Sequence, residues 1–297
     1  MSVNEEKPKA VLGIIGGSGL YKMDALEDGS WQSIETPYGL PSDDIRLGTI
    51  AGTPVAFLPR HGRGHRYTPS EVPYQANLWA MKQLGVQFVL SISAVGSMKE
   101  EITPGHLVIV DQFIDRTVGR ARSFFGGGIV GHVGFADPVC EDFRKVVLQA
   151  ARASDAPGVV DGGTYVCIEG PTFSTKAESH LFRSWGVDVI GMTNLPEARL
   201  AREAGMSYAT VALATDYDCW HEGEEAVSVE AVIAILQQNV RVAQTCIEHV
   251  AKYFATENAL QQSPYATAAH GAVMTDREVI PVESRRAVAQ LFGDVLG

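Results

Sequence analysis

The sequence predicts an α/β fold: one domain on a central mixed or largely parallel β-sheet, flanked by helices. Three observations predict it. Short apolar runs that read as buried strands alternate with stretches carrying apolar residues at helical spacing. No internal repeat and no linker rich in Pro, Gly or Ser divides the 297 residues, a length that suits one large domain. The polar, glycine-bearing motifs fall at strand ends, where ligands bind in such sheets.

The elements follow in order. Strands are predicted at AVLGIIGG, VAFLPRHG, FVLSISAVGS and HLVIVDQFID, with a helix over about 70–84 whose Val72, Ala76, Trp79 and Ala80 share a face and which stops at Gly85. A second half repeats the alternation: a helix near 139–153, strand TYVCIEGP, a helix from about 176, strand DVIGMT, a helix near 196–204 and strand YATVALA. A long helix after Ser228 lines up Val229, Val232, Ile233, Leu236, Val240, Ala243, Ile247 and Val250. Residues 1–10 are expected to be a flexible start and 11–255 the domain. Residues 256–297 are expected to be an extension packing on it, a loop followed by a helix in VESRRAVAQLFGDVLG.

A hydrophobic content of 45% and a charged content of 20% fit a globular chain. A net charge of −11 argues against nonspecific nucleic-acid binding. Cys140, Cys167, Cys219 and Cys246 form no CxxC pair, so neither a zinc ribbon nor a disulfide framework is expected. The first residues lack a basic start and a long apolar stretch, and no run approaches a membrane span. A cytoplasmic protein is the expectation.

Chemistry is sought at the strand ends. GIIGGSGL offers backbone amides and the Ser18 hydroxyl to an anion, although a tight strand-to-helix turn explains the glycines equally well. Gly17 and Gly19 fit the start of a dinucleotide fingerprint, but Lys22 stands where its third glycine belongs. PRHGRGHRYTPSE is the most basic stretch, and Arg60 has the fork that grips phosphate in a bidentate manner. His61 and His65 have zinc-helix spacing, which Gly62 and Gly64 argue against. Ser93-Ala94-Val95-Gly96 is small enough for backbone amides to approach an anion. Thr175 and Glu178 fit a capping box, and Phe173 before them is a flat ring in a turn. VIGMTN ends with Met192 and Thr193, an apolar surface beside a hydroxyl.

ALATDYDCW places Asp216 and Asp218 after an apolar run, where carboxylates are costly. Residues two apart on a strand end point the same way, so both acids can meet one ligand. A turn is the plainer explanation, because Asp is at home after strands. The strand ends together offer an anion cradle (Ser18, Arg60, His61, Ser93, Ala94, Thr193), a flat apolar slot (Phe173, Met192) and two acids. A purine nucleoside beside inorganic phosphate needs all three. Breaking its N-glycosidic bond asks for an acid at the base while phosphate attacks the sugar carbon, and clustered buried carboxyls hold a proton near neutrality. A carboxylate also accepts from an exocyclic amine, which favours a 6-amino purine.

The motifs GIIGGSGL, TPYGLPSD, RHGRGH, YQANLWAMKQLG, GHLVIVDQFIDRT, EGPTFSTKAES, MTNLPEARLAREAG and ATDYDCWHEGEEAVSV run from about residue 11 to about 250. In that order they resemble the trimeric purine nucleoside phosphorylase family, in its methylthioadenosine-cleaving branch. The resemblance implies the fold of that family and phosphorolysis of 5′-methylthioadenosine to adenine and 5-methylthio-α-D-ribose 1-phosphate, a pentosyl transfer in methionine and purine salvage. It implies no metal and no organic cofactor, phosphate being a co-substrate, and a homotrimer with its sites at subunit interfaces. Ser18, Arg60, His61, Ser93, Ala94 and Thr193 match its phosphate contacts. Phe173 and Met192 match the base and ribose contacts, and Asp216, Tyr217 and Asp218 match purine recognition. Ser174 and Val229 match positions that tune specificity. Val229 and Val232 also make chemical sense as an apolar wall for a methylthio group. His132 matches a histidine that a neighbouring subunit lends to that pocket.

Methylthioinosine or broader purine nucleoside phosphorolysis is the nearest alternative, against which the two acids count. A hydrolase, a dinucleotide-dependent oxidoreductase and a noncatalytic nucleotide-binding module are the more distant ones.

Overall fold

The computed structural model describes residues 10–221, 229–292 and 296. Eleven strands form one sheet among them. They are β1 (Leu12–Gly16), β2 (Glu27–Gln32), β3 (Ile45–Ile50), β4 (Thr53–Pro59), β5 (Phe88–Ser97), β6 (Leu107–Ile109), β7 (Gln112–Arg116), β8 (Val159–Asp161), β9 (Thr164–Ile168), β10 (Val189–Gly191) and β11 (Ser207–Asp216). The helices are α1 (Tyr74–Gln83), α2 (Glu141–Arg152), α3 (Lys176–Ser184), α4 (Asn194–Glu203), α5 (Val229–Phe254) and α6 (Val282–Phe292).

The main path runs β2-β3-β4-β1-β5-β10-β9-β7, and β11, β6 and β8 branch from β5. β5 is the pivot. Its first residues run parallel to β1 on one side and to β11 on the other, and its end turns to pair with β10. The sheet is mixed, as predicted.

Its faces are covered separately. Tyr74, Leu78 and Trp79 of α1, Leu200 and Ala201 of α4, and Val288, Leu291 and Phe292 of α6 bury one face. Phe143, Val147 and Ala151 of α2 pack with Cys246, Ile247 and Val250 of α5 on the other. A strand buried on both faces reads as a continuous apolar run, which is what FVLSISAV and YATVALA are.

Several elements depart from the expectation. The helix predicted from 70 begins at Tyr74, because Pro73 occupies its N-cap and cannot extend a helix backwards through Val72. HLVIVDQFID is two strands rather than one: β6 pairs with β11 and β8, whereas β7 pairs with β9, so the chain changes partners at Val110–Asp111. β2, β3 and β8 have no counterpart among the predicted strands. β2 is an exposed edge without apolar alternation, and the β3–β4 hairpin turns on Ala51 (φ 50°) and Gly52 (φ 83°) without the Asn-Gly signature of such turns.

The region after α5 has no regular element over residues 256–272, and α6 closes it. Its Phe292 ring stacks on Phe125 at 4.7 Å, and the Trp79 indole donates to the Ala287 carbonyl at 3.1 Å, which pins α6 to α1. No helix among the described residues is long and apolar enough to cross a membrane.

α3 starts as the capping box predicted. The Thr175 hydroxyl accepts from the Glu178 amide at 3.2 Å, and the Glu178 carboxylate accepts from the Thr175 amide at 2.8 Å. Thr175→Ala is therefore expected to lower the unfolding free energy by about 1 kcal/mol. Urea denaturation checks this, and an unchanged midpoint would show that the cap contributes nothing.

Candidate active site

One cavity of about 280 Å³ opens where six strand ends meet. Gly17 and Ser18 follow β1, Arg60 and His61 follow β4, and Ser93–Gly96 belong to the end of β5. Ile168, Phe173 and Ser174 come from β9 and the loop after it, Met192 and Thr193 from the end of β10, and Asp216 and Asp218 from the end of β11. Leu236 of α5 closes one side. The predicted anion cradle, flat slot and acids thus line a single space.

Arg60 stands differently from its expectation. Its side chain has no exposed surface, and Nε and Nη2 donate to the Glu197 carboxylate at 2.7 and 2.9 Å. Nη2 also donates to Ser91 Oγ and Nη1 to the Ile92 carbonyl. The bidentate fork expected for phosphate is taken by Glu197, because a buried guanidinium requires a counter-charge. Burial opposes its positive charge, yet Glu197 more than offsets this and holds the arginine above its ordinary pKa. What reaches the cavity is the edge of a neutralised pair.

His61 is a neutral ring with a defined tautomer. Nδ1 lies 2.9 Å from the Tyr67 carbonyl, which can only accept, so Nδ1 carries the hydrogen and Nε2 keeps its lone pair. Burial, then the Arg60 charge, push its pKa down to about 4. His65 stacks on it at 4.5 Å and meets the Tyr21 hydroxyl through Nδ1 at 2.6 Å. Ser93 Oγ lies 3.3 Å from Thr193 Oγ1, so these two hydroxyls form one polar patch.

The acids converge by a turn rather than by strand alternation. β11 ends at Asp216 and Asp218 has φ 53°. The Asp218 amide donates to Asp216 Oδ1 at 2.8 Å, which bends the chain and brings both carboxyls to the cavity. Asp216 Oδ2 accepts from the Thr215 hydroxyl at 2.7 Å, and Asp218 Oδ2 accepts from Ser179 of α3 at 2.5 Å. Burial raises the Asp218 pKa, the Ser179 bond lowers it, and the Asp216 charge raises it again, leaving it above the ordinary value. Gly96 makes room: a Cβ there would lie 3.0 Å from Asp216 Oδ1.

Several predicted residues lie elsewhere. Tyr217 is off the cavity wall, its ring stacked on His221 at 4.6 Å and its hydroxyl donating to the Glu100 carbonyl at 3.3 Å. His132 is also off the wall, and its amide donates to the Ala272 carbonyl. Val229 and Val232 fall in the first turns of α5, where the side chains lie outside the described residues. Phe173 reaches the cavity but is 71% exposed.

The signature of the phosphorylase superfamily matches residues 11–252. The chain belongs to that superfamily. This phosphorylase is 53% identical to S-methyl-5′-thioadenosine phosphorylase of Geobacter sulfurreducens over 284 residues, 95% of this chain and 98% of that one. Among solved structures it is similar to a methylthioadenosine phosphorylase from an Antarctic soil metagenomic library, at 50% identity and TM-score 0.90, over 96% and 99% of the two chains. It is also similar to methylthioadenosine phosphorylase from Schistosoma mansoni in complex with adenine, at 38% identity and TM-score 0.80, over 84% and 93%.

The superfamily fold brings in residues that sequence reasoning missed. Glu197 and Ser179 read as an ordinary first-turn acid and a polar helix residue, and neither pattern distinguishes a buried partner from a solvated one. Leu236 was seen only as part of an apolar stripe. Only the three-dimensional packing reveals their roles.

The His61 shift sets a pH dependence. Between about 6.5 and about 4 the unfolded chain protonates this ring and the native chain does not, so native stability falls as pH falls through that window. His61→Asn is expected to lose less stability than the parent between those pH values. Parallel slopes in urea titrations at each pH would show that His61 is not held neutral.

Proposed function

We propose that this protein catalyses phosphorolysis of 5′-methylthioadenosine to adenine and 5-methylthio-α-D-ribose 1-phosphate. The observation that carries the proposal is that Arg60 and His61 line the same cavity as Asp216 and Asp218. An anion nest and an acid pair therefore face one ligand. The relatives named above support it, as does the structure of adenosine/methylthioadenosine phosphorylase from Schistosoma mansoni in complex with methylthioadenosine, a variant 37% identical to this chain with TM-score 0.79.

In this reading phosphate lies among Ser18, Arg60, His61, Ser93, Ala94 and Thr193. The neutral His61 accepts at Nε2, and the hydroxyls and amides donate to the anion. The base lies between Phe173 and Met192, and Asp216 and Asp218 face its N7 and exocyclic amine. A phosphate oxygen forms the new bond to C1′ as the C1′–N9 bond breaks through an oxocarbenium-like state. The bonding pair leaves on the purine, and the acid pair supplies or shares the proton that lets adenine depart neutral. Ser174 lines the slot, and an apolar wall at the 5′ end suits a methylthio group.

The reaction proceeds without metal or organic cofactor, in the cytoplasm, on a homotrimer. The exposure of Phe173 and the position of His132 away from its own cavity support a neighbouring subunit completing the 5′ pocket.

Two measurements test the proposal. Adenine release from methylthioadenosine is expected to require phosphate, and hypoxanthine release from methylthioinosine to be much slower. Equal rates in phosphate-free buffer would make the protein a hydrolase. Asp218→Asn is expected to lower turnover about 10²- to 10⁴-fold, the range for loss of a general acid. A variant at full rate would remove Asp218 from the chemistry.

A further inference from the structure

Arg120 stands outside the motifs that mark the cavity, and its side chain has no exposed surface. Nη1 donates to the carbonyls of Met192 and Leu195 at 2.5 and 2.8 Å. Nη2 donates to the carbonyl of Glu169 at 2.6 Å and approaches that of Ile168 at 3.4 Å. A buried cation is usually held by a carboxylate. Here the nearest acid, Glu169, is 3.6 Å from Nε, and Nε has no hydrogen-bond partner. Glu169 supplies the counter-charge at that distance, and backbone carbonyls take the hydrogen bonds of both Nη atoms.

Those carbonyls belong to two segments only. Ile168 and Glu169 lead from β9 into the loop that carries Phe173 and Ser174, and Met192 and Leu195 lead from β10 into α4. The segments touch: a Cβ on Gly170 would lie 2.4 Å from Met192 Sδ. We infer that Arg120 is a positioning residue, a guanidinium clamp that fixes the spacing between these segments and so the width of the slot between Phe173 and Met192. What occupies the slot rests on the function proposed above; the clamp itself does not.

Two further features separate this role from general support. The anion end has its own anchors. The Thr193 amide donates to the Tyr165 hydroxyl at 3.4 Å, and the Asn194 side chain donates to Ser91 and Tyr208 at 3.0 and 2.6 Å. In addition, the loop bearing Arg120 is itself fixed by Glu169, whose Oε2 accepts from the Val118 amide at 2.6 Å while its Oε1 accepts from the Ser70 hydroxyl. Lysine cannot replace the clamp, because one ammonium cannot reach carbonyls on both sides of a planar fork.

The experiment compares Arg120→Lys with Glu169→Gln, a milder variant that keeps the guanidinium and loosens the loop carrying it. Amide hydrogen exchange is expected to quicken in peptides covering 168–175 and 190–195 and to stay unchanged over 88–97. The KM for methylthioadenosine is expected to rise about tenfold or more, as misplacement of a binding wall does, with the phosphate KM moving less than about threefold. Unchanged exchange in both segments overturns the inference, whatever the substrate is. A rise in exchange throughout the sheet, or equal rises in both KM values, also overturns it, since that is what a merely structural arginine would give. If the parent protein releases no adenine, the functional reading fails, and the exchange data still judge the clamp.

Discussion

The ion pair between Arg60 and Glu197 is the constraint from which the cavity is built. Neither side chain has any exposed surface, and the two hydrogen bonds between them measure 2.7 and 2.9 Å. A charge so placed tolerates no loose partner, since removing one member leaves the other buried and uncompensated at a cost of about 3–5 kcal/mol. Other polar groups pack around the pair. Tyr208 donates to Glu197, Ser91 accepts from Arg60, and Asn194 donates to both Ser91 and Tyr208. These residues come from β5, β11, α4 and the turn just after β4. One polar network thus fixes the relative positions of strand ends that lie far apart in the chain.

At the other end of the cavity a different solution serves the same need. Two carboxyls line it, Asp216 and Asp218. Their charge is met by a hydroxyl from α3, a backbone amide and the Thr215 hydroxyl. This satisfies hydrogen bonding, while burial first, and then the repulsion from Asp216, hold Asp218 above its ordinary pKa. A carboxyl held above its ordinary pKa leaves this end able to exchange a proton.

How far the sequence reveals this arrangement depends on where the signal resides. Periodicity shows β1, β4, β5 and β11 because strands buried on both faces are continuous apolar runs, and it misses β2 because an exposed edge carries no such pattern. The cavity wall is legible because its residues sit at strand ends in unusual combinations, as with Asp216 and Asp218 after YATVALA. The supports behind the wall are not. Glu197 three residues into α4 and Arg120 in a polar loop look like surface residues in one dimension, and only long-range contacts bury them. Even at the wall, orientation is lost: Arg60 is read correctly as a basic residue at the site, yet its fork faces Glu197 rather than the cavity.

The two ends differ in a way that bears on catalysis. The anion end is close to electrically neutral, because Arg60 is compensated by Glu197 and His61 is uncharged, so it offers oriented dipoles and hydroxyls in place of a net positive charge. In the proposed reaction such a cradle holds phosphate similarly before and during attack, and an interaction equal in both states orients the nucleophile without lowering the barrier beyond that. Charge on the purine, by contrast, grows only as the bond to C1′ stretches. A carboxyl already raised in pKa meets that charge as it develops, and it therefore contributes more in the transition state than in the ground state. In the proposed reaction the rate enhancement thus falls mainly on the acid end, and the cradle's compensated charge keeps phosphate and its sugar ester free to leave.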